Sequence, residues 1–127
     1  MTKRYLGVDY GDKRIGLAIA EDDVKVARPL QIIEPGQQSV TASLGDVVKS
    51  EGITDIVLGL PRNLDGDDTA QTGQVRSFAR ELESLGLPVT FQDEAATSKV
   101  ARQQYPGKTP IDAEAAAIIL QDYLENL

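Results

Sequence analysis

Residues 54–61, TDIVLGLP, carry an unbroken apolar run from Ile56 to Leu60. A strand with one wet face alternates apolar and polar residues; a strand covered on both faces does not. The run is far too short to span a membrane. It requires a sheet with something packed on each side, and the rest of the chain must supply that cover.

Helices of the right kind flank it. Residues 39–51 place Val40, Leu44, Val47 and Val48 on one helical stripe, and Gly52 stands where a helix C-terminal glycine belongs. Residues 70–85 carry a second stripe, Val75, Phe78, Ala79, Leu82 and Leu85, closed by Gly86. Before them, YLGVDYGDKRIGLAIA (5–20) reads as a hairpin, with strands at about 4–10 and 14–20 and a turn at Gly11–Asp12. RPLQII (28–33) is a short third strand that ends before Pro35–Gly36, and LPVTFQDE (87–94) is the last strand. Helices at about 97–104 and 112–126, separated by a PGKTP break, complete the chain. The order β-β-β-α-β-α-β-α-α predicts an α/β fold, a mixed sheet with helices on its faces, in one domain over residues 1–127.

Composition narrows the chemistry. A chain of 127 residues that is 41% hydrophobic can bury one core. It has no cysteine and no histidine, so thiolate chemistry is excluded and any metal must be held by oxygen, which favours Mg²⁺, Mn²⁺ or Ca²⁺. The net charge of −7 weighs against a nucleic-acid partner, which needs local positive charge. Six of the acids, however, sit in EDD (21–23) and DGDD (65–68), which read as solvated turns. The basic start MTKRYLGVDYGD loses its apolar run at Asp9 and is no signal peptide, so a cytoplasmic protein is expected.

In sheets of this kind, sites form beyond the carboxyl ends of the strands. Asp9, Asp65, Asp93 and Glu94 all fall there. Asp9 shares a face with Tyr5 and Gly7, a carboxylate on an otherwise packed surface. Such a group is costly unless paired, hydrogen-bonded or metal-bound, so it is either a strand-end cap on the turn at Tyr10–Gly11 or a site residue. Asp112 opens the last helix, as N-cap or as ligand, and Asp93–Glu94 either cap the following helix or face the site. Drawn from different elements, Asp9, Asp93–Glu94 and Asp112 could hold a hard divalent cation. A pair of such ions about 3.5–4 Å apart hydrolyses phosphodiesters without histidine.

Two further places could meet substrate. GLPRNLDGDDTAQT (59–72) leaves a buried strand as a polar loop in which Arg62 could meet a phosphate, while Asp65–Gly66 reads as a tight turn. Arg76, Arg80, Lys99, Arg102 and Lys108 form a basic set. Arg76 and Arg80 share a helix face, and Arg80 could pair with Glu83. No base-stacking platform is indicated among them.

LGVDYGDKRIGLAIAEDD, IVLGLPRNLDGDDTAQTGQVRSFARELE, PVTFQDEAATS and IDAEAAAIILQDYL, in that order, resemble the YqgF/RuvX family of bacterial nucleases over nearly the whole chain. The resemblance implies an RNase H-like fold, a five-stranded mixed sheet flanked by helices on both faces. It also implies a divalent-metal-dependent nuclease, using Mg²⁺ or Mn²⁺, whose catalytic and metal-binding acids are Asp9, Glu94 and Asp112. The family roles are 5′-end maturation of pre-16S ribosomal RNA in ribosome biogenesis and Holliday junction resolution. Arg62, Arg76, Lys99 and Arg102 become the candidate contacts to nucleic acid. The family usually has arginine after the Asp–Glu pair, where this chain has Ala95; either substrate affinity is lowered or another base such as Lys99 or Arg102 substitutes.

Two rivals belong to other classes. DYG after an apolar strand also resembles the first phosphate loop of actin-like sugar kinases and chaperones, but those clamp ATP between two such domains. A binding module that has lost catalysis is the other, opposed by the retained carboxylates. The expected partner is RNA or branched DNA and not a membrane, and junction cleavage would favour a homodimer with two active sites.

Overall fold

The computed structural model describes residues 2–11, 13–34, 36, 38–62, 65–93 and 112–127, with Asp112 described in its backbone alone. Strands β1 (Arg4–Tyr10) and β2 (Ile15–Glu21) pair antiparallel from Arg4↔Glu21 to Tyr10↔Ile15. Gly11 closes their turn by donating its N–H to the Arg14 carbonyl at 3.1 Å. A Cβ there would lie 2.7 Å from that same oxygen, so the turn admits only glycine without shifting. Strand β3 (Arg28–Ile33) adds antiparallel to β2, with a register shift between Leu17 and Ala18.

Helix α1 (Val40–Glu51) is capped by Ser39, whose hydroxyl accepts the Ala42 N–H at 3.1 Å. It stops at Gly52, in the left-handed region at φ 66°. Strand β4 (Asp55–Leu60) returns parallel to β1. Helix α2 (Ala70–Leu82) follows and tightens into a 3₁₀ turn at Glu83–Leu85, so its expected span ends less regularly than the apolar stripe suggests. Strand β5 (Val89–Asp93) pairs parallel to β4, and helix α3 (Asp112–Glu125) closes the fold. The expected helix at about 97–104 and its PGKTP break lie outside the described residues.

The sheet order is β3-β2-β1-β4-β5, a five-stranded mixed sheet. One face buries Leu6, Val8, Leu17, Ile56 and Leu58 against Leu44 and Val47 of α1 and Val75, Phe78 and Leu82 of α2. The other buries Tyr5, Ala18, Ala20 and Val57 against Ala116, Ile119, Leu120 and Leu124 of α3. Helices therefore cover both faces, and β4 is buried from Ile56 through Leu60 as its unbroken apolar run requires. Each fully buried Leu or Ile contributes about 1.5–3 kcal/mol. The small residues Gly7, Ala18 and Ala20 on the α3 face let that helix sit close. Among the described residues, no helix is long and apolar enough to cross a membrane.

Candidate active site

Strands β1, β4 and β5 run parallel, so their carboxyl ends open at one edge of the sheet. Asp9, the penultimate residue of β1, is half-buried at that edge. Its neighbour Tyr10 turns the other way and stacks on Phe78 of α2, with ring centroids 4.3 Å apart at 16°. Asp9 therefore belongs to the α3 face, with Tyr5 and Gly7.

Helix α3 runs against β1. Tyr5 meets Tyr123 edge-on at 6.0 Å, and Gly7 lies beneath Leu120 and the Ala116 carbonyl. Two residues of strand advance about 6.6 Å, which matches four to five residues of helix. The next step along β1, to Asp9, is thus level with the first turn of α3, the turn that Asp112 begins.

Asp93 stands elsewhere. It pairs in register with Leu60, which faces the α1–α2 core, whereas its neighbour Gln92 reaches α3 by donating from Nε2 to Asp122 Oδ2 at 2.6 Å. Adjacent strand residues point to opposite faces. Asp93 is accordingly on the side away from Asp9, where its Oδ2 lies 3.9 Å from Arg62 Nη1.

Arg62 is the second residue of the loop after β4, and the start of that loop is tied down. Thr72, fully buried, donates its hydroxyl to the Pro61 carbonyl and accepts the Thr69 N–H at 2.9 Å. Thr69 in return caps α2 by accepting the Thr72 N–H. Across the loop, Asp68 Oδ1 lies 3.5 Å from Arg62 Nε, and Asp68 Oδ2 lies 3.2 Å from Arg76 Nη2. Arg76 in turn rests its guanidinium 5.7 Å from the ring centre of Phe91, an aromatic residue left 38% exposed by the edge strand β5. The chain Asp93–Arg62–Asp68–Arg76–Phe91 thus rims the α2 side of the sheet's carboxyl edge.

A family model described as RuvX: Holliday junction resolvase matches residues 3–126. The chain belongs to the RuvX family. A relative from Maridesulfovibrio salexigens is 37% identical, covering 95% of this chain and 97% of its own. One from Anaeromyxobacter sp. strain Fw109-5 is 38% identical, with 97% of both chains covered. Both are named as proposed pre-16S rRNA nucleases. Among solved structures, Thermus thermophilus RuvC in complex with a Holliday junction substrate matches at TM-score 0.61 and 16% identity, over 98% of this chain and 94% of that one. The fowlpox virus Holliday junction resolvase matches at TM-score 0.60 and 14% identity, over 98% and 99%. At such identities the likeness is one of fold, the RNase H-like α/β architecture.

In this RuvX-family chain the expected site residues divide. Asp9, Arg62 and Arg76 lie at the carboxyl edge of the sheet, and Asp112 is placed by its backbone at the start of α3. Glu94, Lys99 and Arg102, with Ala95, lie outside the described residues. Among the described residues, no group of three or more carboxylates gathers as a metal site. Asp65–Gly66 does form a turn, with Gly66 at φ 83°. Arg76 pairs with Asp68, and an Arg80–Glu83 pair is not among the ion pairs of the described residues. Phe91 lies fifteen residues from Arg76 in sequence and adjacent to it in space. Asp68 and Thr72 were not singled out. Thr72 carried a signal, three positions after Thr69 at a helix start; Asp68 carried none beyond its loop.

Proposed function

We propose that this chain is a divalent-metal-dependent nuclease that hydrolyses phosphodiester bonds, with the 5′ end of pre-16S ribosomal RNA as substrate and branched DNA as the alternative. The observation that carries the reading is Asp9: a half-buried carboxylate on a packed face, at the carboxyl end of the central strand, level with the first turn of α3. Names borne by the RuvX-family relatives support the RNA substrate, and the family description supports the branched one.

In this reading Asp9, Glu94 and Asp112 hold Mg²⁺ or Mn²⁺. The pairing of Asp93 with Leu60 and its approach to Arg62 favour Glu94 over Asp93 as the proposed ligand. The donor set suits the metal: a chain without histidine or cysteine offers oxygen, which hard cations prefer. When bound, such ions activate water and neutralise charge developing on the phosphate.

The chain's own side chains position the polymer. Arg62 and Arg76 hold backbone phosphates on the α2 side, and Lys99 and Arg102 stand in for the arginine that Ala95 replaces. Phosphate contacts of this kind supply affinity without reading sequence. Residues 1–127 act as a single domain in the cytoplasm, and as a homodimer if the substrate is a junction, which must be cut at two places.

The test is cleavage of a labelled pre-16S 5′-end RNA and a labelled four-way DNA junction, with Mg²⁺ or Mn²⁺, by wild type and Asp9→Asn. Metal-dependent cutting of one substrate, lost in the variant, is the expected result. Wild type that cuts neither leaves a protein that only binds nucleic acid, and a variant that cuts equally well removes Asp9 from the catalytic ligands.

A further inference from the structure

We infer that Asp68 occupies, in the free protein, the seat of a nucleic-acid phosphate between Arg62 and Arg76, and that a phosphodiester displaces it on binding. The inference rests on the nuclease reading for the identity of the polymer and on the geometry of the ion pairs for the rest.

Two guanidiniums from different elements converge on one carboxylate. Arg62 Nε lies 3.5 Å from Asp68 Oδ1, and Arg76 Nη2 lies 3.2 Å from Oδ2 and 3.5 Å from Oδ1. A phosphodiester offers the same pair of anionic oxygens, in the geometry that arginine recognises best.

Each arginine is also held by something other than Asp68. Arg76 rests over the Phe91 ring, and Arg62 has Asp93 Oδ2 at 3.9 Å and follows Pro61, whose carbonyl is fastened to Thr72. The guanidiniums can therefore stay in place when the carboxylate leaves. Asp68 itself is the most exposed member of the ion-paired set, at 55%, against 31% for Arg62, 41% for Arg76 and 50% for Asp93. It sits on a loop two residues past Gly66, and exposed ion pairs of this kind are exchanged at little cost.

Asp68 also fills the seat imperfectly. Arg62 Nε is enclosed by protein yet makes no hydrogen bond among the described residues. At 3.5 Å, Asp68 Oδ1 lies beyond the usual 2.7–3.2 Å for an N–H donor, and an acceptor seated deeper between the arginines would satisfy it. Charge requires exchange rather than addition: Arg62 and Arg76 are balanced by Asp68 and Asp93, so a phosphate entering beside Asp68 would leave the cluster net negative. The cluster lies on the α2 face and Asp9 on the α3 face, so the phosphate it takes is one flanking the reacting phosphate.

The experiment is equilibrium binding of a labelled single-stranded RNA of about a dozen nucleotides, in EDTA so that no metal-dependent cleavage intrudes. It compares wild type, Asp68→Asn, Arg76→Gln and the double variant across a salt series, with melting curves to confirm folding. Asp68→Asn should bind about three- to fivefold tighter than wild type, with a salt slope steeper by about one. In the Arg76→Gln background the same substitution should yield almost no gain. Asp68→Asn binding no tighter than wild type overturns the inference, and so does a gain that persists undiminished without Arg76, because that is a general charge effect. Should Asp68→Asn melt early, Asp68→Ser replaces it with the same expectations. Failure of wild type to cleave either substrate with metal would sink the nuclease reading alone, since the binding comparison contains no metal.

Discussion

A Cβ placed on Gly7 would stand 2.8 Å from the Leu120 Cβ and 3.1 Å from the Ala116 carbonyl oxygen. The first distance is shorter than real Cβ contacts allow, and the second is to backbone that cannot swing aside. Gly7 is therefore a point of close approach between the central strand and the last helix, and it lets α3 lie close to β1. Two strand residues further on is Asp9, and about one helical turn further on is the start of α3. A residue with no side chain thus helps decide whether the proposed site can assemble.

Gly7→Ala should lower stability by about 1–3 kcal/mol, the usual cost of forcing a methyl group into packed surroundings. The helix can relieve the clash only by lifting from the sheet, which moves its first turn away from Asp9. Cleavage at temperatures where the variant is still folded should then fall further than its folded fraction explains. Urea titration beside initial rates tests this, and wild-type stability in Gly7→Ala would show the contact to be slack.

Thr72 joins the loop after β4 to the start of α2 with one hydroxyl. Thr72→Val keeps the shape and removes the hydroxyl, leaving the Pro61 carbonyl and the Thr69 N–H without it, at about 1–3 kcal/mol. Thr72→Ser keeps the hydrogen bonds and should recover most of that. Because Arg62 follows Pro61 directly, RNA binding in EDTA should weaken in Thr72→Val and hold in Thr72→Ser. Equal binding by the two would separate the hydroxyl from the placement of Arg62.

What could be read from the sequence was whatever depends on local periodicity. The unbroken run of β4, the stripes of α1 and α2 and the glycines that end them follow from burial and backbone sterics, and Gly52 and Gly86 do adopt φ 66° and 77°. The face of Asp9 was legible for the same reason. Periodicity did not say which face Asp93 takes, because that turns on its pairing with Leu60, a register between strands. Asp68 and Arg76 escaped because local rules look three or four residues along a helix, and these lie eight apart across a helix start. Phe91 belongs to the last strand, and the position of β5 at the sheet edge leaves it exposed.

Burial, together with the negative charges of Asp22 and Asp55 and the neighbouring Tyr123, raises the Tyr5 phenol above its ordinary value of about 10. The neutral form is favoured in the folded chain. Above pH 10 the unfolded chain releases this proton while the folded chain keeps it, so the stability Tyr5 provides is full below pH 10 and is lost as pH rises toward its folded value. Tyr5→Phe cannot titrate, and its stability should decline less steeply than wild type between pH 9.5 and 11, with the two curves parallel below pH 9. Denaturant titrations across that range make the comparison; identical alkaline slopes would mean that Tyr5 ionises as easily in the fold as outside it.

Metal binding to Asp9 should be visible in stability even where no substrate is cut. The proposed ligands Asp9, Glu94 and Asp112 would repel one another without a cation, so Asp9→Asn in EDTA should melt at or above the wild-type temperature. A cation that binds only the folded chain stabilises it by about 2.7 kcal/mol at a hundredfold excess over Kd. Wild type should therefore gain melting temperature with Mg²⁺ or Mn²⁺, and Asp9→Asn should gain little. Arg62→Gln and Arg76→Gln, which alter the proposed phosphate contacts on the opposite face, should keep the metal-dependent gain. An Asp9→Asn protein that responds to metal as strongly as wild type would remove Asp9 from the cation's ligands and return it to the role of a strand-end cap.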